Sequence, residues 1–207
     1  MAKITNETCK LCRRERVKLF LKGERCLSPK CAVAKRPYPP GAHGQSRRSK
    51  LSDYAVSLRE KQKVKRIYGV LEKQFRNYFE KADKKEGVTG EILLQYLEMR
   101  FDTIVKNMNF ADSQRQARQI IGHGHFLING KKVNISSYQM KPGDKVEVSE
   151  KSKKEMYFKE LQSLKKDAVS WVSSDLAHLK GEVLGVPKRA DLDPEIQEQL
   201  IVELYSK

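Results

Sequence analysis

The stretch Ser113-Gln114-Arg115-Gln116-Ala117-Arg118-Gln119-Ile120-Ile121-Gly122-His123-Gly124-His125-Phe126-Leu127-Ile128-Asn129-Gly130-Lys131-Lys132-Val133 decides the fold. It opens on a capping-box pattern, S-x-x-Q, in which side chains satisfy the unpaired amides of a helix start. Ala117, Ile120 and Ile121 form the apolar side of that helix, and Gln114, Arg115, Arg118 and Gln119 the polar side. Gly122 ends it. His125 to Ile128 then reads as a strand, Asn129-Gly130 as a tight turn, and Lys131 to Ile135 as the returning strand. Asn-Gly suits that turn because both central residues need positive φ. Lys141-Pro142-Gly143-Asp144 is a further turn, and Lys145 to Val148 alternates as a third strand. Two short helices followed by a small sheet make a compact αα-β module over residues 99–150.

The flanks are helical. Val64, Ile67, Tyr68, Leu71, Phe75, Tyr78 and Phe79 form one apolar stripe within Leu51 to Glu80, with a break near Gly69. Arg59, Lys61, Lys63, Lys65, Arg66, Lys73 and Arg76 lie opposite. Thr89 can cap a second helix carrying Leu93, Tyr96, Leu97, Phe101, Ile104 and Val105. Downstream, Met156, Leu161, Leu164 and Ala168 predict a helix ending near Trp171. Asp193-Pro194-Glu195 reads as the start of a last helix, whose apolar Leu200 to Tyr205 packs back on the earlier ones. The expected fold is α+β, mainly α. A metal-bound basic arm (1–50) precedes a helical domain (51–98 and 151–207) interrupted by the inserted module (99–150).

The charge is uneven. The 207 residues carry 42 lysines and arginines against 26 acids, a net charge of +16. Residues 1–50 hold 14 basic and 3 acidic side chains, whereas residues 151–207 hold ten of each. A solvated face explains the balanced tail but not the first quarter, so nucleic acid is the expected partner of the arm. No run approaches the ~18 apolar residues of a membrane span, and the first twenty residues have no secretory core. The expected compartment is the cytoplasm.

All four cysteines, Cys9, Cys12, Cys26 and Cys31, fall within 23 residues as C-x₂-C and C-x₄-C. This spacing lets paired knuckles supply four thiolates to a tetrahedral Zn²⁺, and a Cys₄ iron–sulfur cluster would use the same ligands. Disulfides would need an oxidising compartment that nothing here signals. Four thiolates leave no open position, so such a site is structural. Arg13, Arg14, Lys22 and Arg25 surround it. The segment has little core of its own, and metal binding can supply the missing folding free energy.

Beyond Cys31 the chain turns to proline and glycine, with Arg36, Tyr38, His43, Arg47, Arg48 and Lys50 interleaved. An extended cationic arm threading folded RNA fits this pattern better than a plain linker. The prolines also forbid a recognition helix directly after the metal site, which excludes a zinc-finger DNA regulator. No catalytic constellation is present. Gly124 to Lys132 falls short of a phosphate-binding loop, since His125 and Lys132 occupy its defining positions. No small-molecule substrate is expected.

The motifs Cys9-x-x-Cys12-Arg13-Arg14, Lys18-Leu19-Phe20-Leu21-Lys22-Gly23-Glu24-Arg25-Cys26, Arg36-Pro37-Tyr38-Pro39-Pro40-Gly41 and Leu51-Ser52-Asp53-Tyr54 carry a resemblance. So do Arg100-Phe101-Asp102, His123-Gly124-His125, Asn129-Gly130-Lys131-Lys132 and Gln199-Leu200-Ile201-Val202-Glu203. Over its whole length the chain resembles the family of bacterial-type small-subunit ribosomal protein four, with the RNA-binding module named after it. The resemblance implies a structural constituent of the small ribosomal subunit. It would bind the 5′ domain of 16S rRNA early in assembly, lie near the mRNA entry path, touch small-subunit protein five and support decoding accuracy. It also implies repression of its own operon in some members. The rRNA-contact candidates are Arg13, Arg14, Lys22, Arg25, Arg36, Tyr38, His43, Arg47, Arg48, Lys50, Arg59, Lys63, Arg66, Arg100, Arg115, Arg118, His123, His125, Lys131 and Lys132. Glu198 and Glu203 are the protein-contact candidates, on an acidic rim that would repel RNA. The family's module often has arginine where this chain has Asn107, Asp112 and Gln114. The runner-up, an RNA-modifying enzyme such as a pseudouridine synthase, would need a catalytic domain for which the remaining residues leave no room.

Overall fold

The computed structural model describes residues 7–46, 50–164 and 166–206. The helices are α1 (Thr8–Glu15), α2 (Ala32–Lys35), α3 (Asp53–Ile67), α4 (Glu72–Asp83), α5 (Thr89–Glu98), α6 (Phe101–Asn107), α7 (Gln114–Gly122), α8 (Met156–Ser163) and α9 (Glu198–Ser206). The strands are β1 (Phe126–Ile128), β2 (Lys131–Lys132), β3 (Lys145–Val148), β4 (Val172–Asp175) and β5 (Lys180–Val183). They build two compact units. One holds the residues up to Leu93 together with those from Pro194, and the other is Leu94–Asp193.

In the first unit, the Ser52 hydroxyl caps α3 by accepting from the Ala55 N–H at 3.3 Å. Gly69, at φ 60°, ends the helix as expected. The left-handed glycine lets the Val70 N–H reach back to the Lys65 carbonyl at 2.9 Å, satisfying a terminal acceptor, and α4 starts afresh at Glu72. Val64, Phe75, Tyr78, Phe79 and Ala82 are buried. Helix α9 packs along α3, buries Ile201 and stacks the Tyr205 ring on Phe79 at 4.6 Å. It begins four residues later than the Asp193-Pro194-Glu195 pattern, with proline at the first helical position, suggests. Pro194 and Glu195 make a turn instead, and the Gln197 N–H just before α9 donates to the Glu60 carboxylate of α3 at 2.9 Å.

In the second unit, the Ser113 hydroxyl accepts from the Gln116 N–H, as the capping box requires. The reciprocal bond is shifted by one residue: Gln116 Oε1 accepts from the Asp112 N–H at 3.0 Å. Asn129 and Gly130 both take positive φ, giving the expected hairpin between β1 and β2. The returning strand is shorter than predicted and stops at Lys132. Residues 136–140 instead close on the segment around the start of α6, where the Phe101 N–H donates to the Tyr138 carbonyl and the Asp102 N–H to Ser136. Phe101, Phe110, Phe126 and Phe158 are fully buried, with Phe126 meeting Phe101 and Phe158 edge-on at 6.0 and 6.1 Å. Burying each ring contributes roughly 1.5–3 kcal/mol.

The largest departure lies beyond residue 150. Helix α8 ends at Ser163 rather than near Trp171. Residues 172–183 form a hairpin that extends the sheet to the antiparallel order β2-β1-β3-β5-β4, with Val146 opposite Gly181. Trp171, Val172, Leu176, Leu179 and Val183 complete the core of this unit. The segment 151–193 therefore belongs with the module and not with the helical domain, and Trp171 covers the module's core rather than the long helices. Its signal is weak in sequence: Val172-Ser173-Ser174-Asp175 and Lys180-Gly181-Glu182-Val183 are polar and glycine-bearing.

Gly181 is where that hairpin meets Met108, the residue that follows α6. A Cβ there would lie 2.7 Å from Met108 Sδ and 2.8 Å from the Ser173 carbonyl oxygen, which is backbone and cannot yield. Gly181→Ala is expected to cost about 1–3 kcal/mol in urea unfolding. An unchanged midpoint would show that the hairpin is not packed as described.

Candidate nucleic-acid interface

Cys12, Cys26 and Cys31 are buried, Cys9 is half-buried, and the four line one small pocket together with Lys22 and Arg25. No disulfide links them. The Lys22 N–H points at Cys26 Sγ at 3.4 Å, and the Leu19 N–H bonds the Cys12 sulfur. Burial pushes the Cys12 thiol up; the Leu19 N–H offsets part of this, and charge on Cys26, Cys9 and Cys31 adds to it. Four thiols lining one pocket are a donor set that suits a soft cation in chemical terms. Among the described residues, no group of three or more His, Cys, Asp or Glu side chains is drawn together in a metal-holding arrangement.

Around this pocket the arm turns its cations outward. Arg14, Arg16, Lys18, Lys22, Arg25, Lys30, Lys35, Arg36 and Lys50 are exposed, as is His43. Arg13 is the exception. Its guanidinium lies 4.8 Å from the centre of the Tyr38 ring and donates to the Tyr38 and Pro39 carbonyls at 3.0 and 3.3 Å. Arg13 and Tyr38, both half-buried, thus fasten the proline segment to α1. Gly44 helps: its N–H donates to Gly41, and a Cβ would collide with the Pro39 carbonyl. Arg47 and Arg48 lie outside the described residues.

The basic face of α3 is occupied from within. Glu15, its side chain 3% exposed, accepts from Arg59 at 3.3 Å and from Arg66. Burial pushes the Glu15 carboxyl up against the pull of Arg66, Arg59 and Arg14, and the same burial pulls Arg66 down. Breaking such a pair from one side leaves an uncompensated charge. Lys63 donates to the Glu195 carbonyl at 2.6 Å and pairs with Glu60 at 2.8 Å. Lys61 and Lys65 both grip Glu72, at 2.5 and 2.8 Å. The candidates Arg59, Lys63 and Arg66 thus hold the arm and α9 to α3. Nothing in the spacing of Glu15 marks it as their partner, since 44 and 51 residues separate it from them.

In the second unit, Arg100 is 1% exposed and forms a bidentate pair with the buried Asp102 carboxylate at 3.0 and 2.8 Å. Burial excludes it from the RNA surface. Arg118, with a side chain 29% exposed, donates to the same carboxylate at 2.6 Å. Arg115, His123, Lys131 and Lys132 are exposed. His125 is half-buried, 2.8 Å from the Ser152 hydroxyl through Nδ1. Asn107, Asp112 and Gln114 are engaged inside the unit, with Glu98, Lys166 and Thr103 respectively.

The first part of the chain, residues 3–98, matches the model of the ribosomal protein S4/S9 N-terminal domain, and residues 99–146 match the S4 domain. The chain belongs to the ribosomal protein S4 family. It is 54% identical to small ribosomal subunit protein uS4A of Alkaliphilus oremlandii over 208 residues. It is 56% identical to uS4 of Geotalea daltonii and 52% to uS4 of Thermus thermophilus, each over 209 residues. In all three cases the match covers the whole of both chains. The family is one of ribosomal structural proteins, so the S4-family chain is not an enzyme, and the runner-up reading falls. No helix among the described residues is long and apolar enough to cross a membrane. On the acidic rim, Glu203 is exposed, whereas Glu198 is half-buried with its stem against Gly90.

Glu72 tests the internal neutralisation. Burial would raise its carboxyl, but hydrogen bonds from Lys61, Lys65 and Tyr205 outweigh that and hold it down at about 2. A depressed folded pKa stabilises above the unfolded value and is lost as pH falls through the folded one. Glu72→Gln is therefore expected to cost on the order of 1 kcal/mol at pH 7, discounted for solvent screening at this half-exposed site. The gap from the parent should close between about pH 4.5 and pH 2. A pH-independent gap in denaturant titrations would contradict the pairing.

Proposed function

We propose that the chain is a structural constituent of the small ribosomal subunit that binds 16S rRNA, chiefly through the outward cations of its N-terminal arm. The observation that carries this is the contrast within the first unit: Glu15, Glu60 and Glu72 pair with the cations of α3, while most of the described cations of the arm face solvent. Membership of a ribosomal family supports it. The exposed Arg115, His123, Lys131 and Lys132 of the module provide a second, weaker RNA surface. The finer reading follows the family resemblance: binding to the 5′ domain early in assembly, a place near the mRNA entry path, contact with protein five, support of translational accuracy, and repression of its own operon. The compartment would be the cytoplasm.

We also propose a structural metal, zinc first and an iron–sulfur cluster second, held by Cys9, Cys12, Cys26 and Cys31. The shared four-thiol pocket supports this reading. The ion would tie the arm together against its own charge and would take no part in chemistry.

Filter binding to a 5′-domain transcript across a salt series tests the RNA reading. Arg36→Glu is expected to weaken binding and flatten the log–log slope by roughly 0.7–0.9. Lys188→Glu, in the charge-balanced tail, should change neither quantity, and equal effects at the two positions would contradict the reading. Elemental analysis is expected to find about one zinc per chain, released by Cys26→Ser with loosening of the arm but not of the helices. A metal-free chain with four reactive thiols and an ordered arm would refute the metal. Glu203→Lys should leave transcript binding intact while raising stop-codon readthrough. Unchanged readthrough would argue against a protein-five contact at Glu203.

A further inference from the structure

The segment Arg16–Gly23 carries an aromatic ring that neither the fold nor the charge account uses. Phe20 is 48% exposed, while its neighbour Leu19 is buried. Its backbone sits at φ 48°, a left-handed conformation that bulky side chains rarely adopt. Arg16 and Gly23 are left-handed too, at φ 61° and 53°. The loop is fastened on both sides of Phe20: the Leu19 N–H bonds the Cys12 sulfur, and the Lys22 N–H points at the Cys26 sulfur. Such strain persists only where the surroundings over-determine it, and it concentrates at functional positions. Burying the ring would be the ordinary outcome for phenylalanine. Here the two anchored amides turn it outward instead, between the exposed Lys18 and Lys22.

We propose that Phe20 is a base-stacking residue, whose ring takes the face of an unpaired nucleotide while Lys18 and Lys22 meet the flanking phosphates. This rests on the RNA-binding reading above and adds to it a contact that is not electrostatic. Single-stranded RNA is recognised by this combination of an aromatic platform and a cationic surround. Exposed lysines two residues to either side of Phe20 in sequence suit a phosphate backbone better than an apolar protein surface.

The test is binding of the full chain to the 5′-domain transcript. Phe20→Leu keeps apolar volume but removes the aromatic face, whereas Phe20→Tyr keeps it. The leucine variant is expected to bind between about fivefold and 150-fold more weakly, the range for losing one stacked base. The tyrosine variant should bind within about twofold of the parent. The salt slope should stay unchanged in both, because no phosphate contact is removed. Far-UV circular dichroism and thermal unfolding check that both variants fold. Leucine binding like the parent, or tyrosine failing as leucine does, would overturn the stacking role and leave the RNA reading standing. A leucine variant that binds the transcript normally yet drops out of assembled small subunits would assign the ring to a protein, also overturning it. If the parent itself does not bind the transcript, the RNA reading fails, and the stacking role with it.

Discussion

Like charge crowded into a segment with almost no core is the constraint on which the rest of this structure depends. The first fifty residues carry 14 cations against 3 acids, and among the described ones apolar burial amounts to little more than Leu19, Pro39 and three cysteines. Two devices oppose the repulsion. Arg13 clamps the proline segment by stacking and hydrogen bonding, and Glu15 is held between Arg59 and Arg66. The second carries a desolvation cost. Burial raises Glu15 and lowers Arg66 despite their pairing, so desolvation offsets part of the Coulombic gain of the bridge that ties α1 to α3.

These devices sort the cations by role. Those on α3 act inward: two hold Glu15, two hold Glu72, and Lys63 holds the turn before α9. Among the described residues of the arm, Lys10 pairs with Glu7 at the surface, and most of the other cations are exposed and remain a surface field. A polyanion would find its strongest attraction there, with counterion release as the driving term. The second unit follows the same division in miniature, with Asp102 internalising Arg100 while Arg115, Lys131 and Lys132 stay outside.

Features set by local chemistry were legible in the sequence. Gly69 announces its helix end, Asn129-Gly130 its turn, and Ser113 its cap, because each depends on a few adjacent atoms. The burial of Ile201 and the packing of the Tyr205 ring on Phe79 followed from their apolar character. Long-range pairing was not legible. Glu15 lies far along the chain from its arginines, and its role is set by tertiary packing. The β4–β5 hairpin escaped because both strands are short and polar, with β4 at the sheet edge, and because Gly181 of the interior strand β5 serves close packing that no pattern reveals. Arg100 and Arg118 look alike in sequence, yet one lies on the core side of Asp102 and the other toward solvent.

Amine labelling with mass spectrometric readout, on the chain alone and bound to the 5′-domain transcript, would test this division of charge most directly. Lys18, Lys22, Lys30 and Lys35 should react readily in the unbound chain and lose reactivity on binding. Lys61 and Lys65, already paired with Glu72, should react slowly in both states. Fast labelling of Lys61 and Lys65 that RNA suppresses, with the arm lysines unaffected, would contradict it.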